Sequence, residues 1–410
     1  MMKVLVNCYA CSPYQGSEPG MGWNFVKGLS AYHELHVLTE SKFEPHLRRY
    51  MDEHPDELHS VHFHFISKER HKTLRKIWPP SYYWYYNKWQ RKALALAKEL
   101  DAKHDFDVVH QLNMVGYREP GYLYELGKPL VWGPTGGMCI SPWCLLPCMG
   151  VYGLLYYGMR NVINLWQMHF RKKVRTMACK ADAIIAATQD NCDCFKRLWH
   201  REPVIIPEVG LLHFNNHNNV ESRGSSKLKI CWSGQHTPAK ALNLLIEALD
   251  LVSCKDRVEL HVIGAGKFTQ RWKSEATSLN LKNIIWHGWV DHEKAIAIMS
   301  ESHLFCITSL ADLTSTVLLE ALSMGLPVVS LNHVGFSNTI TDACGIKIDI
   351  NSKKQVVRDF AAAIDRIEGD EAYRQQLSRG AFERAKDFSW DAKIEKINTI
   401  YNSVIAKHQK

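Results

Sequence analysis

The stretch SLADLTSTVLLEALSMGLPVV, Ser309 to Val329, decides how this chain is read. Just before it, HLFCIT (303–308) has the length and bulk of a buried parallel strand. Just after it, Val317, Leu318, Ala321 and Leu322 recur at helical spacing. Gly325 and Pro327 stop that helix, and Val328 and Val329 open another strand. The unit is therefore βαβ. At its helix start, the backbone N–H groups of Thr314, Ser315, Thr316 and Val317 lack intrahelical acceptors, and the aligned peptide dipoles favour an anion there. Asp312 lies on the loop, and Glu320, eight residues on, is expected in the first helical turn. Two carboxylates around a hydroxyl-rich helix mouth suit a phosphate held by main chain and sugar hydroxyls held by acids.

A second strand, loop and helix lies in LKICWSGQHTPAKALNLLIEAL (228–249), where Lys240 is expected at the helix start as a point charge for a phosphate. VELHVIGAGKF (258–268) and IIWHGWV (284–290) read as further strands. In the first half, strands are expected at 3–9, 35–40, 61–66, 105–113, 130–138, 181–188 and 204–210. Gly16, Gly20 and Gly22 bracket a loop before a helix expected at 23–29. Their G-x-x-x-G-x-G spacing is not the dinucleotide fingerprint, which argues against a nicotinamide enzyme. His110 and Thr188 are placed at strand ends facing a cleft. The polar, Asn- and Ser-rich stretch 213–227 is the best linker. It divides the chain into a first α/β lobe (1–210), a second (211–387) and an amphipathic helix (388–410).

At 410 residues and 46% hydrophobic content, the chain can bury about two cores. Its 50 Lys and Arg against 42 Asp and Glu give a net charge of +8, suited to phosphate-bearing ligands or an anionic membrane surface. With no RRM, zinc-finger or helix-turn-helix pattern, nucleic acid is not an expected partner. Twelve scattered cysteines fit reduced thiols in a cytoplasm, and Cys8 and Cys11 lack the second pair that a metal site would want. The opening MMKVLVNCYACSPY is too short an apolar run for a signal peptide. Residues 68–91 mix Lys and Arg with three Trp and four Tyr, which suits either an interface with lipid headgroups or a helical cap on the first lobe. Residues 131–159 carry no charge but hold six Gly and three Pro, so they make a poor membrane span and a better loop and helix touching lipid or a hydrophobic acceptor. The expected location is cytoplasmic, peripheral on the inner face of the membrane.

Asp312, seven residues, then Glu320, Ala321 and the run to Gly325, Pro327 and Val328 resemble the signature of family 4 of the glycosyltransferases. That resemblance implies the GT-B fold, an α/β architecture of two Rossmann-like lobes facing a central cleft, with the C-terminal helix returning to the first lobe. It further implies a retaining transfer of sugar from a nucleoside diphosphate to an acceptor hydroxyl, with no metal and no cofactor beyond the donor. Carried over residue by residue, Glu320 would hold the ribose or its neighbour, Asp312 the sugar hydroxyls near the reacting carbon, and His110 the sugar from the opposite lobe. Gly234 and Lys240 match the family's diphosphate loop. Gln235 stands where the family has Arg, and Asp312 where it has Glu. Gly288, Trp289 and Val290 would bind the base, and Glu18 would face the acceptor. The acceptor class implied is a lipid-linked or cell-envelope polysaccharide precursor. The alternatives are a non-catalytic nucleotide-sugar-binding subunit and a nucleotide-sugar epimerase of the same fold.

Overall fold

A computed structural model describes residues 1–69, 81–212, 214 and 227–409. Seven strands form the first sheet: β1 (Lys3–Cys8), β2 (Glu34–Glu40), β3 (Val61–Ile66), β4 (Val108–Asn113), β5 (Leu130–Thr135), β6 (Ala183–Ala186) and β7 (Val204–Ile205). They lie in the order β3-β2-β1-β4-β5-β6-β7, and every pairing is parallel. The second sheet holds β8 (Leu228–Ser233), β9 (Val258–Ile263), β10 (Ile284–Gly288), β11 (Leu304–Ile307), β12 (Val328–Leu331) and β13 (Gly345–Ile348), in the order β10-β9-β8-β11-β12-β13 and again parallel. Strands with helices on both faces are shielded from water along their length, and β4, β5, β11 and β12 are buried at every position. In both sheets the winding reverses beside the first strand, between β1 and β4 and between β8 and β11. Such reversals leave a crevice at the carboxyl ends of the strands.

Around the first sheet lie α1 (Ser17–Ser30), α2 (Glu44–Glu53), α3 (Ser81–His104), α4 (Gly150–Phe170), α5 (Lys172–Lys180) and α6 (Gln189–Trp199). The second carries α7 (Asn243–Leu251), α8 (Thr269–Ser278), α9 (His292–Ser300), α10 (Thr316–Ser323), α11 (Phe336–Thr339), α12 (Lys353–Gly369) and α13 (Glu371–Lys386), followed by α14 (Trp390–His408). Helix α1 starts six residues earlier than the sequence suggests, so Gly20 and Gly22 lie inside the helix and not in a loop before it. A Cβ at Gly22 would stand 2.2 Å from the Ala10 carbonyl oxygen and 2.6 Å from Cys8 Sγ, so glycine there lets α1 press against the end of β1. All twelve cysteines are free thiols. Of the expected linker only Phe214 and Lys227 are described, and residues 70–80 of the basic aromatic stretch also lie outside the described residues.

The lobes exchange segments. Helix α14 returns to the first lobe, where Ile397, Tyr401 and Val404 join its core and Trp390 meets Phe25 edge-on at 4.9 Å. In the other direction Leu145, Leu146 and Met149 leave the first lobe and pack with Trp232 and Leu245 in the second.

The return of α14 also corrects the reading of His110. This side chain is fully buried and does not reach the cleft. Its Nε2 lies 2.7 Å from the Gly133 carbonyl and its Nδ1 2.6 Å from the Tyr401 hydroxyl, so Nε2–H donates and Nδ1 accepts. Burial lowers its pKa to about 4, with the Gly133 carbonyl opposing, and the ring stays neutral. Tyr401→Phe strands a buried acceptor, which costs about 1–3 kcal/mol. The expected result is a lower urea midpoint with donor binding intact. An unchanged midpoint would refute this structural role for His110.

Candidate active site

The reversal between β8 and β11 brings two loops together. Thr308 Oγ1 donates to the Lys240 carbonyl at 2.7 Å, the Leu310 N–H donates to the Ala239 carbonyl at 2.7 Å, and Trp232 Nε1–H donates to Thr308 Oγ1 at 3.1 Å. Lys240 closes a 3₁₀ turn, Pro238–Lys240, three residues before α7 begins, so it precedes the helix and does not open it. Fixed this way, its ammonium donates to Asp312 Oδ2 at 2.5 Å. Both side chains keep about a fifth to a quarter of their surface, 21% and 24%. At that exposure an ion pair adds little stability, and its main consequence is the placement of both groups.

Lys240 and Asp312 line a cavity of about 570 Å³ between the lobes. From the first lobe it receives Glu18 at the start of α1 and Val115 just after β4, the two elements at that sheet's own reversal. Thr314, Ser315 and Thr316 line the opposite wall. One expected anion donor is already engaged, because the Thr314 N–H donates to Glu208 Oε1 at 2.9 Å. Ser315 caps α10 without a side-chain hydrogen bond. The N–H groups of Ser315, Thr316 and Val317 meet no acceptor among the described residues, so the anion mouth begins one residue later than expected. Glu320 lies in the second turn of α10 and not the first. Its Oε1 is 2.9 Å from His292 Nε2 at the start of α9, and Glu320 is not among the residues that line the cavity.

The β10–α9 connection carries Trp289, 79% exposed, which rules out a packing role and leaves a free aromatic face; Val290, half-buried, packs against the edge of the core. Gly234 sits over the Lys240 methylenes, with Gln235 exposed beside it. The loops after β8, β9 and β10 stack through backbone. The Gly234 N–H donates to the Ile263 carbonyl and the Gly264 N–H to the Gly288 carbonyl. Gly264 has φ +119°, and a Cβ there would stand 2.0 Å from the Gly234 oxygen, so only glycine fits.

Sequence reasoning missed Glu208. It is 8% exposed, lines the cavity, and leaves Oε2 buried without a hydrogen-bond partner among the described residues. Burial pushes its carboxyl up to about 7; the Thr314 N–H and Lys393 oppose the shift and Asp312 adds to it. Lys393 on α14 is also buried, and donates to the Pro207 and Val209 carbonyls. Burial lowers its pKa to about 7 against the pull of Glu208. The available signal was an acid directly after a proline at the end of VIIPEVG, a segment read only as a strand. Glu18 accepts the Val115 N–H at 2.6 Å, and burial raises its pKa. Thr188, expected to face the cleft, is buried as the N-cap of α6.

Two lobes of parallel sheet, each wound in both directions around a shared cleft, define the GT-B fold. Solved structures agree over almost the whole chain. Anabaena HepE in complex with UDP and glucose covers 98% of this chain and 100% of its own, with a TM-score of 0.59 at 16% identity. The lipopolysaccharide outer core galactosyltransferase WaaB, in its apo form, covers 98% and 99% with a TM-score of 0.65 at 13% identity. Within that class, residues 214–384 match the family model described as glycosyl transferases group 1. An uncharacterized glycosyltransferase of Methanocaldococcus jannaschii is 25% identical over 190 residues, 45% of this chain and 48% of its own. A D-inositol 3-phosphate glycosyltransferase of Saccharomonospora viridis is 24% identical over 322 residues, 72% and 73% of the two chains. The chain spans about half the length of most of the curated relatives it matches.

The pKa of Glu208 carries a testable sign. Between pH 4.5 and about 7 the folded state keeps a proton on this carboxyl that the unfolded chain has released, so stability falls as pH rises through that window. Urea unfolding of wild type and Glu208→Gln should therefore diverge with pH, the wild type losing up to ~1.4 kcal/mol per pH unit relative to the variant. Parallel curves from pH 4.5 to 7 would show that Glu208 titrates normally.

Proposed function

We propose that this protein transfers a sugar from a nucleoside diphosphate sugar to an acceptor hydroxyl, with retention of anomeric configuration and without a metal ion. One observation carries the reading. Lys240, Asp312 and the open N–H groups of α10 converge on a single interlobe cavity at the point where the second sheet reverses. The diphosphate would take the ammonium of Lys240 and the N–H groups of Ser315 to Val317, which together offset the charge that develops on the leaving phosphate. Entry of the diphosphate would release Asp312 from Lys240 and free its carboxylate for sugar hydroxyls. Glu320, beside the Trp289 loop, would hold the ribose while the base lies against the exposed indole. Gln235 supplies a neutral amide where the family resembled has Arg, so Lys240 carries the main cationic load. The leaving phosphate would take the acceptor proton on the same face.

HepE, which binds UDP and glucose, makes a UDP-sugar the first donor to test, and a phosphate-bearing lipid-linked saccharide is the acceptor we favour. Lys240→Ala and Glu320→Ala should each lower kcat/KM for donor turnover at least tenfold, worth ~1.4 kcal/mol. Slow donor hydrolysis without acceptor should survive EDTA. Wild-type rates in both variants would remove these roles, and complete absence of hydrolysis across UDP-, GDP- and ADP-sugars would favour a non-catalytic binding subunit.

A further inference from the structure

Helix α4 is amphipathic in the wrong sense for a protein surface in water. Among its inward residues are Asn161 and Asn164, each about 1% exposed, while Val151, Leu155, Met159, Val162, Trp166 and Phe170 stand between 58% and 77% exposed. Their spacing of four, four, three, four and four residues makes one apolar stripe along the whole helix. No helix among the described residues is long and apolar enough to cross a membrane, so such a stripe suits a helix lying in a lipid interface.

Beside the stripe, between α4, the start of α3 and the loop after β4, is a cavity of about 870 Å³. Arg118, Arg160, Arg171 and Lys173 line it, with Glu119 as the one carboxylate among the lining residues. Glu119 is occupied, at 2.7 Å from Arg171 and 2.9 Å from Lys173. Arg118 is held at 2.5 Å by each of two neutral amide oxygens, on Asn164 and Gln167, and Arg160 lies over the Tyr157 ring. Neither meets a carboxylate among the described residues. The inward asparagine of α4 thus presents a guanidinium whose charge nothing in the cavity neutralises. Met159, Ile163 and Trp166 line the same cavity and continue outward onto the exposed face of the helix. The loop after β4 links the two sites, Val115 and Gly116 lining the interlobe cavity and Arg118 and Glu119 this one.

We propose that this cavity binds the phosphate of an anionic lipid at Arg118 and Arg160, with the lipid chain against the apolar stripe of α4 and the head directed along the loop toward the interlobe cavity. The proposal rests on the transferase reading only in making that lipid the acceptor. Uncompensated guanidinium groups select an anion, the continuous apolar stripe selects a chain over a soluble phosphate, and the basic run Arg171, Lys172, Lys173 and Arg175 favours an acidic surface.

Vesicle flotation of the full chain, using phosphatidylcholine with or without phosphatidic acid, tests this. The wild type should bind vesicles containing phosphatidic acid at least tenfold more than neutral ones. Arg118→Gln with Arg160→Gln should remove that preference, and Arg160→Gln alone, at a partly exposed position with no acidic partner, should reduce it severalfold should the double variant not fold. Leu155→Ser with Trp166→Ser should abolish binding to both vesicle types. Equal binding to neutral vesicles, an unaltered preference in Arg160→Gln, or full release by millimolar inorganic phosphate would overturn the proposal. Because Lys240→Ala should float like the wild type, failure of the transferase reading would leave this result standing, and the reverse holds as well.

Discussion

Parallel pairing is the constraint from which the rest follows. Every strand in both sheets runs the same way, so each loop that follows a strand emerges at one edge, and the winding reversals leave gaps at β1/β4 and β8/β11. Facing edges of two such sheets bring the segments that follow β1, β4, β7, β8 and β11 to one cavity. Within that frame, the hydrogen bonds from Thr308 and Leu310 to the Lys240 and Ala239 carbonyls set the position of the cation against the acid. A shift of the β11 loop would separate charges that lie 72 positions apart in sequence.

The electrostatics of the cleft are arranged around a shortage of free acid. Asp312 is paired with Lys240, Glu18 is held by a backbone N–H, and Glu208 is buried deeply enough that its carboxyl titrates near neutrality. The buried lysine opposite Glu208 belongs to α14, so the helix that completes the first lobe also sets the charge at the connection between lobes. Burial of two opposite charges is a poor source of stability, and the better account of this pair is positional. Glu208 grips the Thr314 N–H and fixes the start of α10 against the segment leading out of β7.

Exposed surface tells a second story. Segment 131–159 was expected to touch lipid or a hydrophobic acceptor, and segment 68–91 to meet lipid headgroups or to cap the first lobe, and the structure divides both. Tyr86 and Trp89 of α3 are buried as a cap on the first lobe, while Tyr83 and Trp84 stay partly exposed at the rim of the basic cavity. Leu145, Leu146 and Met149 are consumed by the core of the second lobe, and the free apolar surface is on α4, where Val151, Leu155 and Met159 at the end of segment 131–159 begin a stripe that runs on to Phe170.

What the sequence by itself determined is whatever depends on neighbours a few residues apart. Strand and helix periods, the Gly325 and Pro327 stop, the eight-residue spacing of Asp312 and Glu320, and the two-lobe alternation were legible because local hydrophobic period and turn chemistry decide them. The tertiary structure decided what distant partners do to a side chain. His110 looks the same in sequence whether it meets a sugar or Tyr401, 291 positions away, and only the return of α14 makes it an interior group. Glu208 is one acid among many until burial raises its pKa and its carboxyl accepts the Thr314 N–H, 106 positions along the chain. A loop and helix touching lipid was legible in 131–159, but which face of α4 turns outward was not, because periodicity reports that a helix has two faces, while packing alone selects which of them turns inward.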